Sequence, residues 1–199
     1  MGINRTDILN HIAELISARN YLEVGVNKPD VNYDNIRIED KTGVDIKVLS
    51  QRPGLLEMTS DSFFKDNIRK FDLIFIDGDH DYAQCYADVL NGMNVLSEKG
   101  VLVMHDMCPK HEDLQLTERV GEAWYGEAWK VFASMRMSNP MLFMVSMQDD
   151  CGCGIIKWGR QITYPQAILD WPFLEEHRKY ILNQVFTFQE LDEVLRDNA

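Results

Sequence analysis

The chain has 199 residues, 45% hydrophobic and 26% charged, a composition that supports a globular fold with one sizeable core. Its net charge of −12 disfavours attachment to nucleic acid or an anionic membrane, since both are polyanions. No apolar run approaches the roughly 20 residues that span a bilayer, and Met1 to Asp7 lacks the basic flank and apolar block of a signal peptide, so a cytoplasmic location is expected.

In chain order, Thr6 is placed to cap a helix whose apolar stripe is Ile8, Ile12, Leu15 and Ile16. Tyr21 to Val26 reads as a compact strand, and Gly25 at its end lets a ligand approach the backbone. A polar segment with Pro29 has room for a short helix around Tyr33 to Ile38. Thr42 to Ile46 is a second strand. Its Asp45 lies about 20 residues beyond Gly25, the separation at which a ribose-binding acid follows the nucleotide loop of a βαβ unit, although no GxGxxG is present. Gly54 to Thr59 is a third strand, followed by a polar loop, Ser60-Asp61-Ser62, and a short helix over Phe63 to Arg69.

The stretch from Phe71 to Asp106 organises the rest. Two apolar runs end abruptly in Asp77-Gly-Asp79-His80 and in His105-Asp106. Unbroken apolar runs of strand length indicate a parallel sheet covered on both faces, in which ligands sit beyond the carboxyl ends of the strands. Between the runs, Tyr82, Cys85, Tyr86, Val89, Leu90, Met93 and Leu96 keep helical spacing, with Lys99-Gly100 read as the helix end. That makes a right-handed βαβ crossover. Met107 to Leu116 is a loop able to cover a substrate. Thr117 to Met137 reads as a helix through Val120, Trp124, Ala128, Val131 and Met135, with Trp124 and Trp129 in packing roles. Leu142 to Met147 and Gly154 to Trp158 form an antiparallel hairpin. Pro172 marks a helix boundary near Trp171. Thr187 to Glu190 is a capping box, with Phe186 and Leu191 as its staple. Cys85, Cys108, Cys151 and Cys153 complete no zinc-ligand spacing and read as reduced thiols.

This order of elements resembles a class I S-adenosylmethionine-dependent methyltransferase. Tyr21-Leu-Glu-Val-Gly-Val26 is similar to the family's first motif. Asp72-Leu-Ile-Phe-Ile-Asp-Gly-Asp-His80, Gly100-Val-Leu-Val-Met-His-Asp106, Trp124 to Lys130 and Cys151 to Ile156 look like the branch of macrolide-type sugar O-methyltransferases and methyltransferases of polysaccharide synthesis. The resemblance implies a Rossmann-like α/β fold: a mostly parallel seven-stranded sheet with an antiparallel last strand and helices on both faces. Residues 1–160 would form the methyltransferase domain and 161–199 a helical appendage of it. It implies S-adenosylmethionine as cofactor, with Glu23 and Gly25 at its methionine end, Asp45 on the ribose, Asp61 with Ser62 near the adenine, and Asp77 beside it. His80 would be the general base, with Asp77 also catalytic. Asp77 and Asp106 would hold a divalent ion such as Mg2+, with His105 more an orienting histidine than a ligand, although an imidazole beside Asp106 is unusual for a hard ion. The acceptor would be a hydroxyl of a sugar, a glycan precursor or another small molecule. A metal-dependent hydrolase built on the same Asp/His cluster and a non-catalytic nucleotide-binding module are the alternatives. The aromatic tail is also available to a second copy, which would make a homodimer.

Overall fold

A computed structural model describes residues 2–119, 123–165 and 167–197. Fourteen regular elements run in the order α1 (Arg5–Ile16), β1 (Asn20–Val24), β2 (Asp40–Asp45), β3 (Leu55–Glu57), α2 (Ser60–Asp66), β4 (Phe71–Ile76), α3 (Tyr82–Val95), β5 (Leu96–Met104), α4 (Ala128–Ser138), β6 (Leu142–Met147), β7 (Cys153–Trp158), α5 (Trp171–Leu182), β8 (Gln184–Val185) and α6 (Phe188–Asp197). The strands form one sheet in the order β3-β2-β1-β4-β5-β7-β6-β8. β7 is antiparallel to both its neighbours, and the other pairings are parallel. The seven strands expected are present, and two-residue β8 adds an eighth at the edge beside β6.

Alternation along the strands sorts the core into two layers. Leu22, Ile74, Ile76, Leu102 and Met104 pack under α2, α3, α4 and α5. Tyr21, Leu73, Phe75, Val101 and Val103 pack under α1 and α6. Each fully buried aliphatic or aromatic side chain contributes about 1.5–3 kcal/mol relative to exposure, so the two-sided burial of β4 and β5 makes them the best-supported part of the sheet. Among the described residues, no helix is long and apolar enough to cross a membrane.

Local chemistry moved several boundaries. Asn4, not Thr6, caps α1, in a capping box with Asp7, while the Thr6 hydroxyl donates to Asn32 Oδ1. The segment near Tyr33 is only a 3-10 turn, Tyr33–Asn35. Ser60-Asp61-Ser62 is not a loop but the first turn of α2, capped by Thr59. Lys99-Gly100 does not end α3. The helix stops at Val95, and buried Leu96 pairs with Phe71, so that β5 starts earlier than expected. The Ser97 hydroxyl donates to Asp72 Oδ1 at 2.8 Å and fixes this register.

The largest departure concerns Thr117 to Met137. Among its described residues only the part within Ala128–Ser138 is helical, and Val120 lies outside the described residues. Gly126 takes φ +58 against His80, where a Cβ would meet the His80 Cβ at 2.5 Å. Tyr125 and Gly126 N–H groups donate to Leu114 O, and Glu127 N–H donates to His80 O. These bonds satisfy the backbone without a helix. In the tail, the Thr187–Glu190 capping box is formed, and Leu191 is buried while Phe186 stays half exposed.

Gly25 has φ +92, and a Cβ there would lie 2.1 Å from the carbonyl oxygen of Asp77. Gly25→Ala is expected to destabilise by more than about 1 kcal/mol, lowering the thermal midpoint by at least about 3 °C. An unchanged midpoint in a melting experiment would show that β1 and β4 are not held this close.

Candidate functional site

The carboxyl ends of β1, β2, β4 and β5 are brought level by backbone bonds that continue past the strands. Gly25 N donates to Val44 O at 2.8 Å, Asp77 N to Val24 O at 2.8 Å and His105 N to Ile76 O at 3.0 Å. Above this row opens a cleft of about 500 Å³. Of the residues singled out from sequence, Gly25, Asp45, Asp61, Asp77 and His80 line it. Asp45 accepts from the Asn27 and Lys47 N–H groups at 2.8 Å each, so its carboxylate is oriented by the loop after Gly25 and by the residues that follow its own strand.

Glu23 and Ser62 do not line the cleft. Glu23 is buried on the α1 side of the sheet, where the Tyr21 hydroxyl and Asn32 Nδ2 donate to its Oε2 at 2.7 and 2.9 Å. Strand alternation is the reason: Leu22 and Val24 belong to one layer, which sends Tyr21 and Glu23 to the other. The Ser62 hydroxyl accepts from Thr59 Oγ1, within the α2 cap. Asp106 lies behind the cleft, 6% exposed, with φ +61. Aspartate tolerates this conformation better than most residues, but it is still strained, as residues at functional sites often are.

Around Asp77 the charges alternate. Arg5 donates from Nη1 to Asp77 Oδ2 at 2.6 Å, and from Nε and its backbone N to Asp150 Oδ2 at 2.9 and 2.7 Å. His105 Nδ1 lies 3.2 Å from Asp77 Oδ1 and 3.4 Å from Asp106 Oδ2. His80 Nε2 lies 3.3 Å from Asp106 Oδ2 and 3.7 Å from Asp77 Oδ1. Burial alone would raise the Asp77 carboxyl, but His105, His80 and Arg5 outweigh it and hold its pKa well below the usual carboxylate range. Burial would lower both imidazoles, yet the facing carboxylates of Asp77 and Asp106 raise His80 and hold His105 well above its ordinary value.

Several residues of this site had not been singled out. Arg5 sits in the first turn of a helix, where a cation opposes the macrodipole; that misfit was the available signal. Asp150, in the β6–β7 turn, gave none. Trp124 was expected only to pack, but it lines the cleft and stacks on His80, with ring centroids 4.9 Å apart. At the other end, Gln84 Nε2 bridges Ser60 Oγ, Asp61 Oδ1 and Asp88 Oδ1. Trp129 packs as expected, fully buried, with Nε1 donating to Gln115. All four cysteines are free.

Residues 22–107 match a family described as a methyltransferase domain. Among solved structures, the S-adenosylhomocysteine-bound methyltransferase PaMTH1 of Podospora anserina is 17% identical, with 77% of each chain covered and a TM-score of 0.57. The chain has the class I methyltransferase fold. A putative caffeoyl-CoA O-methyltransferase from Staphylococcus aureus shares this fold at 14% identity, over 79% of this chain and 85% of that one, with a TM-score of 0.59. So does CalS10, an S-adenosylmethionine-bound amino pentose methyltransferase from Micromonospora echinaspora, at 14% identity over 78% and 92%, with a TM-score of 0.53. No curated protein sequence matches the chain.

On this methyltransferase fold, one group of donors converges closely enough to hold a metal. Ligand atoms of Asp77, His80 and Asp106 lie within 4.8 Å of one another. The buried His105 Nδ1 faces Asp77 Oδ1 and Asp106 Oδ2 at 3.2 and 3.4 Å. Carboxylates and imidazoles converging this closely fit a bound cation.

Glu23 offers a separate test of the site's floor. Burial pushes its carboxyl up to about 8, against 4.5 when solvated. The fold therefore holds a proton that the unfolded chain loses between these values, and this contribution to stability falls as pH rises through the window. Denaturant titrations of wild type and Glu23→Gln at pH 5 and pH 7 should diverge by about 2 kcal/mol, with the wild type losing more. Parallel behaviour would mean that Glu23 is ionised in the fold.

Proposed function

We propose that the chain is an S-adenosylmethionine-dependent O-methyltransferase acting on a hydroxyl of a sugar or another small molecule. The observation that carries this reading is that Gly25, Asp45, Asp61, Asp77 and His80 line one cleft, whose volume of about 500 Å³ suits a nucleoside-sized ligand. In this reading the methionine end of the cofactor lies by Gly25 and Asp77. The ribose hydroxyls donate to Asp45, and the adenine reaches the Asp61 end beside Gln84. The acids of the cleft also favour a cationic sulfonium electrostatically.

Methyl transfer needs little covalent help, because the sulfonium is already activated. The protein must align the acceptor oxygen with the methyl carbon and remove a proton. His80 is the candidate base: its Nε2 faces the carboxylates, and Trp124 fixes the plane of its ring. As the oxygen–methyl bond forms, the sulfur–methyl bond breaks, its electrons stay on S-adenosylhomocysteine, and the hydroxyl proton passes to His80. A divalent ion on Asp77 and Asp106 would neutralise both carboxylates and acidify the acceptor hydroxyl. The sugar class of acceptor rests on the likeness of Asp77 to His80 and of His105-Asp106 to the sugar-methylating branch. The activity is read as cytoplasmic. The exposed Tyr180 and Phe186 leave apolar surface for a homodimer.

Calorimetry with S-adenosylmethionine should give one site, and Asp45→Ala should weaken it by about tenfold or more, the loss of a charged hydrogen-bond acceptor. With an accepted hydroxyl substrate, His80→Gln should cut turnover by about a hundredfold or more at unchanged cofactor affinity. No heat with the cofactor would remove the methyltransferase reading, and full turnover by His80→Gln would remove the base assignment.

A further inference from the structure

A second hollow, of about 320 Å³, opens beside the cleft at the start of α1, a volume within the range of small-molecule sites. Arg5 divides the two. It lines the hollow, and its Nη1 donates at 2.6 Å to Oδ2 of Asp77, which lines the cleft. Asp150, in the β6–β7 turn, lines the hollow and accepts from Arg5 Nε at 2.9 Å. The other polar groups of the lining are half spent on the fold. Asn4 Oδ1 accepts from the Asp7 N–H and Asp7 Oδ2 from the Asn4 N–H, which leaves Asn4 Nδ2 and Asp7 Oδ1. Asn35 gives Nδ2 to the Asp30 carbonyl and keeps Oδ1. Arg5 Nη2 and Asp150 Oδ1 also make no hydrogen bond among the described residues. Val31, 56% exposed, adds apolar surface. Unspent donors and acceptors thus stand side by side around one apolar patch.

We infer that this hollow is the subsite for the unreacting part of the acceptor, and that it takes a neutral, polyhydroxylated ring: an unphosphorylated sugar or glycoside. A hydroxyl both donates and accepts, so neighbouring hydroxyls satisfy a mixed lining that a purely accepting phosphate does not. Charge points the same way. Arg5 is the one cation among the described lining residues. Asp77 and Asp150 already offset it, and Asp7 adds a further negative charge. A phosphate or carboxylate placed here would face uncompensated acids. The ring carbons would rest on Val31. Arg5 and Asp150 are therefore specificity-determining residues. They hold the acceptor while His80, on the other side of Asp77, meets the hydroxyl that reacts. The subsite rests on the methyltransferase reading and narrows its acceptor.

Full-length protein with S-adenosylhomocysteine is mixed at millimolar concentration with the methyl glycosides of glucose, mannose and galactose, and separately with the phosphates of the same sugars. Binding is read by saturation-transfer nuclear magnetic resonance. Calorimetry with S-adenosylhomocysteine reports the cofactor separately, so either reading can fail alone. At least one glycoside should receive saturation, about threefold or more above its phosphate. Val31→Trp, at an exposed position outside the cleft, fills the hollow. It should cut the glycoside signal about fivefold or more at unchanged S-adenosylhomocysteine affinity. Asp150→Asn keeps the side-chain shape but leaves Arg5 less neutralised, so it should shift the ratio toward the phosphate by about threefold or more. A merely structural role for Asp150 would not move that ratio. Saturation of no glycoside, stronger saturation of the phosphates by the wild type, an undiminished signal in Val31→Trp, or an unmoved ratio in Asp150→Asn would each overturn the assignment.

Discussion

The backbone row that levels the strand ends is the constraint on which the site depends. Gly25, Asp77 and His105 each donate their amide to the strand beside them. Four adjacent strands therefore stop together, and the side chains that follow them meet above one edge of the sheet. Gly25 makes this possible, because a β-carbon there would stand 2.1 Å from the Asp77 carbonyl oxygen and no side chain fits. With the strands at one level, Asp45, Asp77 and His80 face one cleft, without support from a glycine-rich loop.

Charge then knits distant parts of the chain to that edge. Arg5 begins the first helix but spends its guanidinium on Asp77 and on Asp150 of the β6–β7 turn. The first helix and the hairpin are thereby tied to the end of β4. Trp124 closes the other side through its stack on His80, in a segment kept out of helix by Gly126. The imidazole pair is thus held from both sides, with His105 fixed through a carbonyl and His80 through an aromatic plane. Such double support limits the orientations of groups whose chemistry depends on direction.

The sheet was legible because β4 and β5 are buried on both faces and show it as unbroken apolar runs. Their ends were legible too, since acids and imidazoles directly after such runs have few structural uses. Glu23 was expected at the methionine end of the cofactor, whereas period-two alternation separates it from Leu22 and Val24 and buries it on the α1 side. Helical spacing is genuine from Ala128 to Met135, but it was extended backwards through Gly126, whose left-handed backbone responds to tertiary contact with His80. Arg5 and Asp150 escaped notice because their partners are remote in sequence, and the pattern of one segment carries no trace of the other.

The central claim is that the cleft above Gly25 seats an adenosyl group between Asp45 and Asp77. A crystal structure with S-adenosylhomocysteine tests it most directly. The ribose hydroxyls should lie within about 3 Å of the Asp45 carboxylate, the adenine by Asp61, and the sulfur on the side of His80. Ligand density elsewhere on the molecule, or a ribose that leaves Asp45 untouched, would contradict it.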